Sequence, residues 1–257
     1  MRERTEPWPG GTPIWVAMAA DDPATAMKFY GELFGWDATY QGARDYWVCA
    51  LDGRDLGGVG PKHAGTEHLP SRWTTYLATE QLERTLEAVT TYGGQVVVKP
   101  RDIDQHGRMA LATDPSGAIF GLWQAAEHIG RGRGIDPGSL VWSEALTDDF
   151  DRAKEFYTAV FGYRAEEIRD FGPRYAALYA GGQPVAGIGE LRPELPAGNR
   201  PPQWLPYFAA AGADAFVADV RATGGDVISP AFDTDFGRVA ILTDPEAAPF
   251  GIIQLEC

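Results

Sequence analysis

One stretch of the chain occurs twice. Residues 107–124 read GRMALATDPSGAIFGLWQ and residues 237–254 read GRVAILTDPEAAPFGIIQ, with ten of eighteen positions identical and no gap needed. Chance would leave about one match, so the chain is a tandem duplication and each position can be weighed against its copy. A second pair agrees: Phe29-Tyr30 followed by Phe34-Gly35 recurs as Phe156-Tyr157 followed by Phe161-Gly162. The 257 residues therefore divide into two halves, each long enough to bury its own core.

Within each half the pattern runs through the same cycle twice. PIWVAMAADDP is a strand that ends in a helix start, with Asp22 as N-cap and Pro23 at the first helical position. Ala26, Tyr30, Leu33 and Phe34 then share a helical face, and Gly35 ends it. In the second half Asp149 caps, Ala153, Tyr157, Val160 and Phe161 form the face, and Gly162 stops it. Strand-like runs bounded by glycine or charged turns follow. A new strand at Trp73–Ala78, a helical face of Leu82, Leu86, Val89 and Tyr92 closed by Gly93-Gly94, and three more strands complete the first half. In the second half Tyr207 opens the matching strand, Val217 and Val220 lie in the helix, and Gly224-Gly225 ends it. The spacing predicts an α+β chain of four βαβββ modules. They fall in two tandem domains, 1–128 and 139–257, joined by a glycine-rich linker at 125–139.

Composition narrows the partners. A net charge of −14 with no basic cluster argues against nucleic acid and anionic membrane surfaces. No window approaches about 18 consecutive apolar residues, and the opening MRERTEPWPGG has no apolar core of a secretory signal. The two cysteines, Cys49 and Cys257, occupy unrelated positions, which is no disulfide framework and makes a reducing cytoplasm the default. What remains as partner is a small molecule.

Four βαβββ modules, FY…FGW after the first strand, GG closing the second helix and G-R…DP…G before the last strand resemble the vicinal oxygen chelate superfamily. That group holds glyoxalase I, extradiol dioxygenases and bleomycin-resistance proteins. The match spans about residues 12–256 and is similar in particular to actinobacterial tandem glyoxalase-like proteins, through Pro13–Trp15, Gly121–Gly130 and Trp142–Asp148. The resemblance implies curved, cup-shaped mixed sheets with the helices outside, packed as an internal pseudo-dimer within a monomer or as a weak homodimer. It also implies a metal site built from a His or Gln on a module's first strand and a Glu on its last. Here those positions hold Trp15 and Trp142, then Gly121 and Gly251, and none of these side chains ligates a metal. His63, His68, His106 and His128 read as exposed loop residues that do not replace the missing ligands. No metal and no cofactor is expected.

Strand alternation then decides what the sheet faces carry. If Trp142 faces the cup so does Glu144, while the first half offers Trp15 and Ala17; Trp123 shares a face with Gly121, as Ile253 does with Gly251. Trp15, Trp123, Trp142, Tyr76 and Tyr207 would form aromatic walls, with the glycines leaving room for a planar organic guest, or the tryptophans would fill the cup as core. Glu144, the one candidate for catalysis, would accept from a guest hydroxyl or amine, act as a base, or pair with Arg238. Arg108 and Arg238 read as structural, closing onto Asp102, Asp104, Asp233 or Asp235, and Asp114-Pro115 and Asp244-Pro245 as turns. The expected function is metal-free binding of an aromatic metabolite, such as an antibiotic in a resistance role. The alternatives are a metal-dependent lyase or dioxygenase of the same superfamily and a metal-free isomerase or hydrolase using Glu144.

Overall fold

The computed structural model describes residues 6–42, 45–130, 134–168, 173–191 and 200–255; Arg131 and Arg133 of the linker, and Cys257, lie outside them. The first half runs β1 (Pro13–Ala20), α1 (Pro23–Phe34), β2 (Asp37–Gln41), β3 (Tyr46–Leu51) and β4 (Arg54–Pro61). It then repeats as β5 (Arg72–Ala78), α2 (Leu82–Thr91), β6 (Gln95–Ile103), β7 (Gly107–Thr113) and β8 (Ile119–Ala125). The second half runs β9 (Leu140–Thr147), α3 (Phe150–Phe161), β10 (Arg164–Ile168), β11 (Tyr175–Ala180) and β12 (Gln183–Glu190). It repeats as β13 (Gln203–Ala209), α4 (Ala213–Ala222), β14 (Asp226–Thr234), β15 (Gly237–Thr243) and β16 (Pro249–Gln254). These are the four expected βαβββ modules.

The helix ends follow from the residues that punctuate them. The Asp22 side chain accepts from the backbone N–H groups of Ala24 and Thr25, both at 3.2 Å, and Pro23 opens α1 where no donor is needed. Gly35 and Gly162 end α1 and α3 in the left-handed region, at φ 69° and 70°. Nothing lies within 4 Å of a Cβ placed at either, so conformation rather than space calls for glycine there.

Each half contributes one eight-stranded mixed sheet, in the order β2-β3-β4-β1-β5-β8-β7-β6 and, in the second half, β10-β11-β12-β9-β13-β16-β15-β14. The β1–β4, β5–β8, β12–β9 and β13–β16 pairs are parallel, and the hairpin pairs are antiparallel. Packing, however, does not follow the halves. Among the described residues, one compact unit lies within 6–15, 74–130 and 143–204, and the other within 16–73, 134–142 and 205–255. In the first unit Leu77, Leu82 and Phe120 share a core with Phe156, Tyr157 and Trp204, and in the second Met18, Tyr30 and Phe34 share one with Phe208, Val220 and Phe250.

The expectation that each half buries its own core is thereby corrected. A module has a single helix, and its buried residues lie in a core shared with a module of the other half. The second module of one half therefore packs with the first module of the other, α2 against α3 and α1 against α4.

The duplicated motifs lock these cores. In the first unit Trp204 Nε1 donates to the Tyr157 hydroxyl at 2.8 Å, which donates to Asp114 Oδ2 at 3.0 Å. In the second Trp73 Nε1 donates to Tyr30 at 2.8 Å, which donates to Asp244 Oδ2 at 3.1 Å. The other carboxylate oxygen accepts the backbone N–H groups of the turn, Ser116 and Ala118 in one copy, Glu246 and Ala248 in the other. The tyrosine of the FY motif and the aspartate of the DP motif are thus two ends of one buried network, and the turn role expected for Asp114 and Asp244 is half of what they do.

Candidate functional site

In the first unit, Trp15, Tyr76, Gly121 and Trp123 stand on three strands of the first sheet. Tyr76 and Gly121 are register partners on β5 and β8, and Met109 of β7 pairs with Trp123. The Tyr76 ring lies flat over Gly121, so close that any Cβ there would overlap it. A Cβ at Gly107 would meet the Gln124 carbonyl oxygen at 2.6 Å and the Trp123 ring at 2.8 Å. Gly121 therefore does not leave room for a guest, as the sequence suggested; a tyrosine from the neighbouring strand already occupies that space. In the second unit Tyr207 covers Gly251 identically, with Ile253 beyond it. Both rings are buried, and burial pushes the Tyr76 hydroxyl well above the usual phenol range.

The histidine reading also needs correction. His128 is half-buried, edge-on to Trp15 at 4.8 Å between ring centroids and to Trp123 at 5.8 Å. Its carbonyl accepts the Trp123 indole N–H at 2.8 Å and its Nδ1 accepts the Gly130 N–H at 3.1 Å, which leaves the ring proton of the neutral form on Nε2. His106, also half-buried, stands 6.3 Å from His128, and His63 is half-buried in its loop; His68 alone of the four is exposed. The chain past β8 thus returns onto Trp15 and Trp123, tying the indole edge of Trp123 inward.

Glu144 of β9 is 8 % exposed and lies on the face of its strand opposite Ala145, which belongs to the helix-side core. Its register partner on β12 is Gly187. The Arg238 side chain is engaged by Asp214 at 2.8 and 3.1 Å and by Asp233 at 2.8 Å. Arg108 likewise binds Asp102 at 3.0 Å and Glu83 at 2.7 Å. Both arginines are structural, with Glu83 and Asp214 as partners from the helices. Trp142 is half-buried in the second unit.

Donors for a metal do not converge. Among the described residues no three His, Cys, Asp or Glu side chains are grouped so as to hold an ion. The positions that carry ligands in the resembling enzymes hold indole and glycine, and a divalent ion needs three or more N, O or S ligands at one point. The family's metal does not fit these residues. Cys49, buried with its thiol pushed up to about 12, is inert. No described helix is long and apolar enough to cross a membrane.

Residues 13–122 and 139–250 match the model of the Glyoxalase/Bleomycin resistance protein/Dioxygenase superfamily. The chain belongs to this superfamily. It is 39 % identical over 252 residues to "Putative glyoxylase CFP32" of Mycobacterium bovis, covering 95 % of each chain. It is 33 % identical over 260 residues to "Anthracycline biosynthesis protein DnrV" of Streptomyces peucetius, covering 95 % of this chain and 94 % of that one. Among solved structures it is similar to the Mn(II)-bound glyoxalase from Novosphingobium aromaticivorans, with TM-score 0.65 and 14 % identity over 96 % of this chain and 84 % of the other. The 2,2',3-trihydroxybiphenyl 1,2-dioxygenase from Sphingomonas wittichii gives TM-score 0.61 and 14 % identity, over 96 % and 92 %. At such identities the structural likeness speaks for the superfamily fold alone.

Sequence reasoning missed two tyrosines, Tyr46 and Tyr175, that stand on the same sheet faces. A signal existed: the alternating glycines of GGVG and GIG, each one strand beyond a tyrosine, mark a face where a neighbouring ring needs the space.

Proposed function

We propose that this superfamily member binds a planar aromatic organic molecule without a metal ion. Trp15, Tyr76 and Trp123 supply aromatic contact in the first half, Trp142 and Tyr207 supply it in the second, and Glu144 accepts a hydroxyl or amine of the guest. The carrying observation is the replacement of metal ligands by indole and by tyrosine-covered glycine, in both copies. Flat aromatic surface favours a planar guest, and a carboxylate in a largely buried strand favours a polar group on its rim. A relative named for anthracycline biosynthesis supports an aromatic guest class. Sequestration of such a metabolite, or a step in making it, suits the same site. One chain holding four modules suits an internal pseudo-dimer or a weak homodimer, and the buried thiol of Cys49 suits a reducing cytoplasm.

Thermal shift and calorimetry with an anthracycline aglycone test this reading. A guest bound only by the folded state raises stability by RT ln(1 + [L]/Kd), about 2.7 kcal/mol at a hundredfold excess over Kd. Glu144→Ala should weaken a hydroxyl- or amine-bearing guest, whereas a change at its copy, Ala17, removes no polar group and should leave such a guest unaffected. Close to one equivalent of Zn, Ni, Fe or Mn in the purified protein, removed by a chelator together with lyase or dioxygenase turnover, would overturn the proposal. The burial of Glu144 supports a second reading, a metal-free isomerase or hydrolase with Glu144 as base. Turnover abolished in Glu144→Gln while guest binding survives would establish it.

A further inference from the structure

The strap that leads into each half is a copy of the other. Counting back from Trp15 and Trp142 without a gap, Gly11 matches Gly138, Gly10 matches Pro137 and Trp8 matches Ile135. The backbone agrees. The Gly11 N–H donates to the Ala78 carbonyl at 2.8 Å and the Thr12 carbonyl accepts from Ala78 at 2.9 Å; Gly138 donates to Ala209 and Ser139 accepts from it, both at 2.8 Å. The Thr12 N–H closes a turn on the Pro9 carbonyl at 3.1 Å, and the Ser139 N–H closes the same turn on Asp136 at 2.9 Å. Each glycine carbonyl also accepts from the residue after a helix stop, the Tyr163 hydroxyl for Gly11 and the Trp36 indole for Gly138.

Two positions break the match. Trp8 is 8 % exposed and forms one buried cluster with Ile14 and Ala78, against which Trp15 and Trp123 pack; Ile135 is 73 % exposed. Ala78 is the register partner of Trp123, so the two stand side by side on the face that carries Tyr76 and Gly121. The first strap thus buries an indole of its own in the aromatic cluster of the first half, whereas the second leaves the matching side chain in solvent. Gly10 stands where the second strap has Pro137. A Cβ at Gly10 would meet nothing within 4 Å and its φ lies outside the left-handed region, so neither space nor conformation requires glycine there. What glycine adds is backbone freedom, and proline removes it.

We propose that Trp8 is an internal plug: its indole occupies the guest position of the first half, and residues 6–9 swing about Gly10 to release it. A planar guest then takes the volume that the indole vacates, so the closed protein needs no open cavity there. The second strap, stiffened by Pro137 and carrying an exposed Ile135, has no such plug. Guest and indole compete for one place, and the guest's apparent affinity falls with the fraction of molecules that are closed. The plug rests on the planar-aromatic reading above and adds what keeps the first-half face shut until a guest arrives.

The test follows 1-aminoanthracene, a neutral planar fluorophore, by its emission on binding, with a urea transition showing that each variant is folded. Trp8→Ala should tighten binding about tenfold or more, because no closed state then excludes the probe. Adding Trp123→Ala to Trp8→Ala should remove that gain. Gly10→Ala fits the strap without collision and cuts its freedom, so it should weaken binding about two- to fivefold. With wild type saturated by the probe, hydrogen exchange at the Thr12 N–H should quicken as its acceptor on Pro9 moves away, while the Ser139 N–H of the second strap keeps its rate. Equal binding by wild type and Trp8→Ala overturns the plug while the aromatic reading stands. Should Trp8→Ala lose its urea transition, unchanged binding by Gly10→Ala overturns the plug instead. Failure of the probe to bind either wild type or Trp8→Ala overturns the aromatic reading and the plug with it.

Discussion

The two copies of the Trp–Tyr–Asp network match almost atom for atom, whereas the sheet faces away from the helices have drifted apart. Trp204–Tyr157–Asp114 and Trp73–Tyr30–Asp244 keep the same donors, the same acceptors and lengths within 0.1 Å of each other at each step. On the outer faces Ala17 stands where Glu144 does, and Ile253 where Trp123 does. The network closes a core shared by modules of both halves, so a change in either half breaks it. An outer-face position answers only to what it touches there.

The network copies are nevertheless not equal electrically. Burial raises both aspartates above the usual carboxylate range, and Asp244, with Glu246 beside it, is raised to about 6. In the first copy Ser116 holds the place of Glu246 and bonds Thr147 at 2.9 Å. Glu246 instead accepts the backbone N–H groups of Asp21 and Asp22 at 2.8 and 2.7 Å, ahead of α1.

The largest effect should come from emptying the acceptor. Asp114→Ala strands two backbone donors and the Tyr157 hydroxyl, a loss of about 3 kcal/mol, and Asp244→Ala should lose somewhat less because an ionised Asp244 faces Glu246. Urea unfolding of the two variants checks the order; equal losses would remove the electrostatic distinction. Tyr157→Phe and Tyr30→Phe delete one hydroxyl each and should cost about 2 kcal/mol, alike in both copies.

The pH response comes next. The folded pKa of Asp244 lies above its ordinary 3.8, so the fold binds that proton more tightly than the unfolded chain does. Its ionisation opposes folding above pH 6, and stability should rise as pH falls from 7 toward 5, by about 1 kcal/mol from this group. Asp22, Asp151 and Asp214 are held below the usual range by hydrogen bonds and ion pairs and weaken the fold only near and below their ordinary value. The window between 4 and 6 therefore isolates the raised aspartates. Asp244→Asn should flatten the slope there, and an unchanged slope would assign the proton elsewhere.

What was legible in the sequence tracks how far apart the cooperating residues lie. The modules, the caps Asp22 and Asp149 and the helix stops Gly35 and Gly162 were readable because a cap acts within one turn. Motif FY and motif DP were each visible, but Tyr30 and Asp244 are 214 residues apart and nothing local ties them. The same limit hid the core exchange between halves. At the candidate site, strand alternation sets Glu144 on the face of β9 opposite Ala145, which lies in the helix-side core. It could not tell that Tyr76 lies over Gly121, because that requires knowing which strand is the neighbour. His128 was misread for a like reason: a residue after the last strand has no periodicity to show that the chain turns back onto Trp15.

The smallest expected effect sharpens the comparison at its edge. Arg108 and Arg238 open the duplicated GR stretch, and each bridges a helix and a neighbouring strand. Arg108 reaches Glu83 through Nη2 at 2.7 Å and Asp102 through Nε at 3.0 Å, whereas Arg238 holds Asp214 with two guanidinium nitrogens, at 2.8 and 3.1 Å, and Asp233 with a third. These acidic partners are largely exposed, so water and salt screen both clusters and neither removal should approach the loss from Asp114→Ala. A bidentate fork loses less side-chain freedom per bond formed, which favours the second copy. Arg238→Ala should therefore lower the urea midpoint more than Arg108→Ala, and about 1 M NaCl should erase the difference by shortening the screening length to about 3 Å. A difference that persists in high salt would mean the arginine stems, packed against the sheet, carry it rather than the charges.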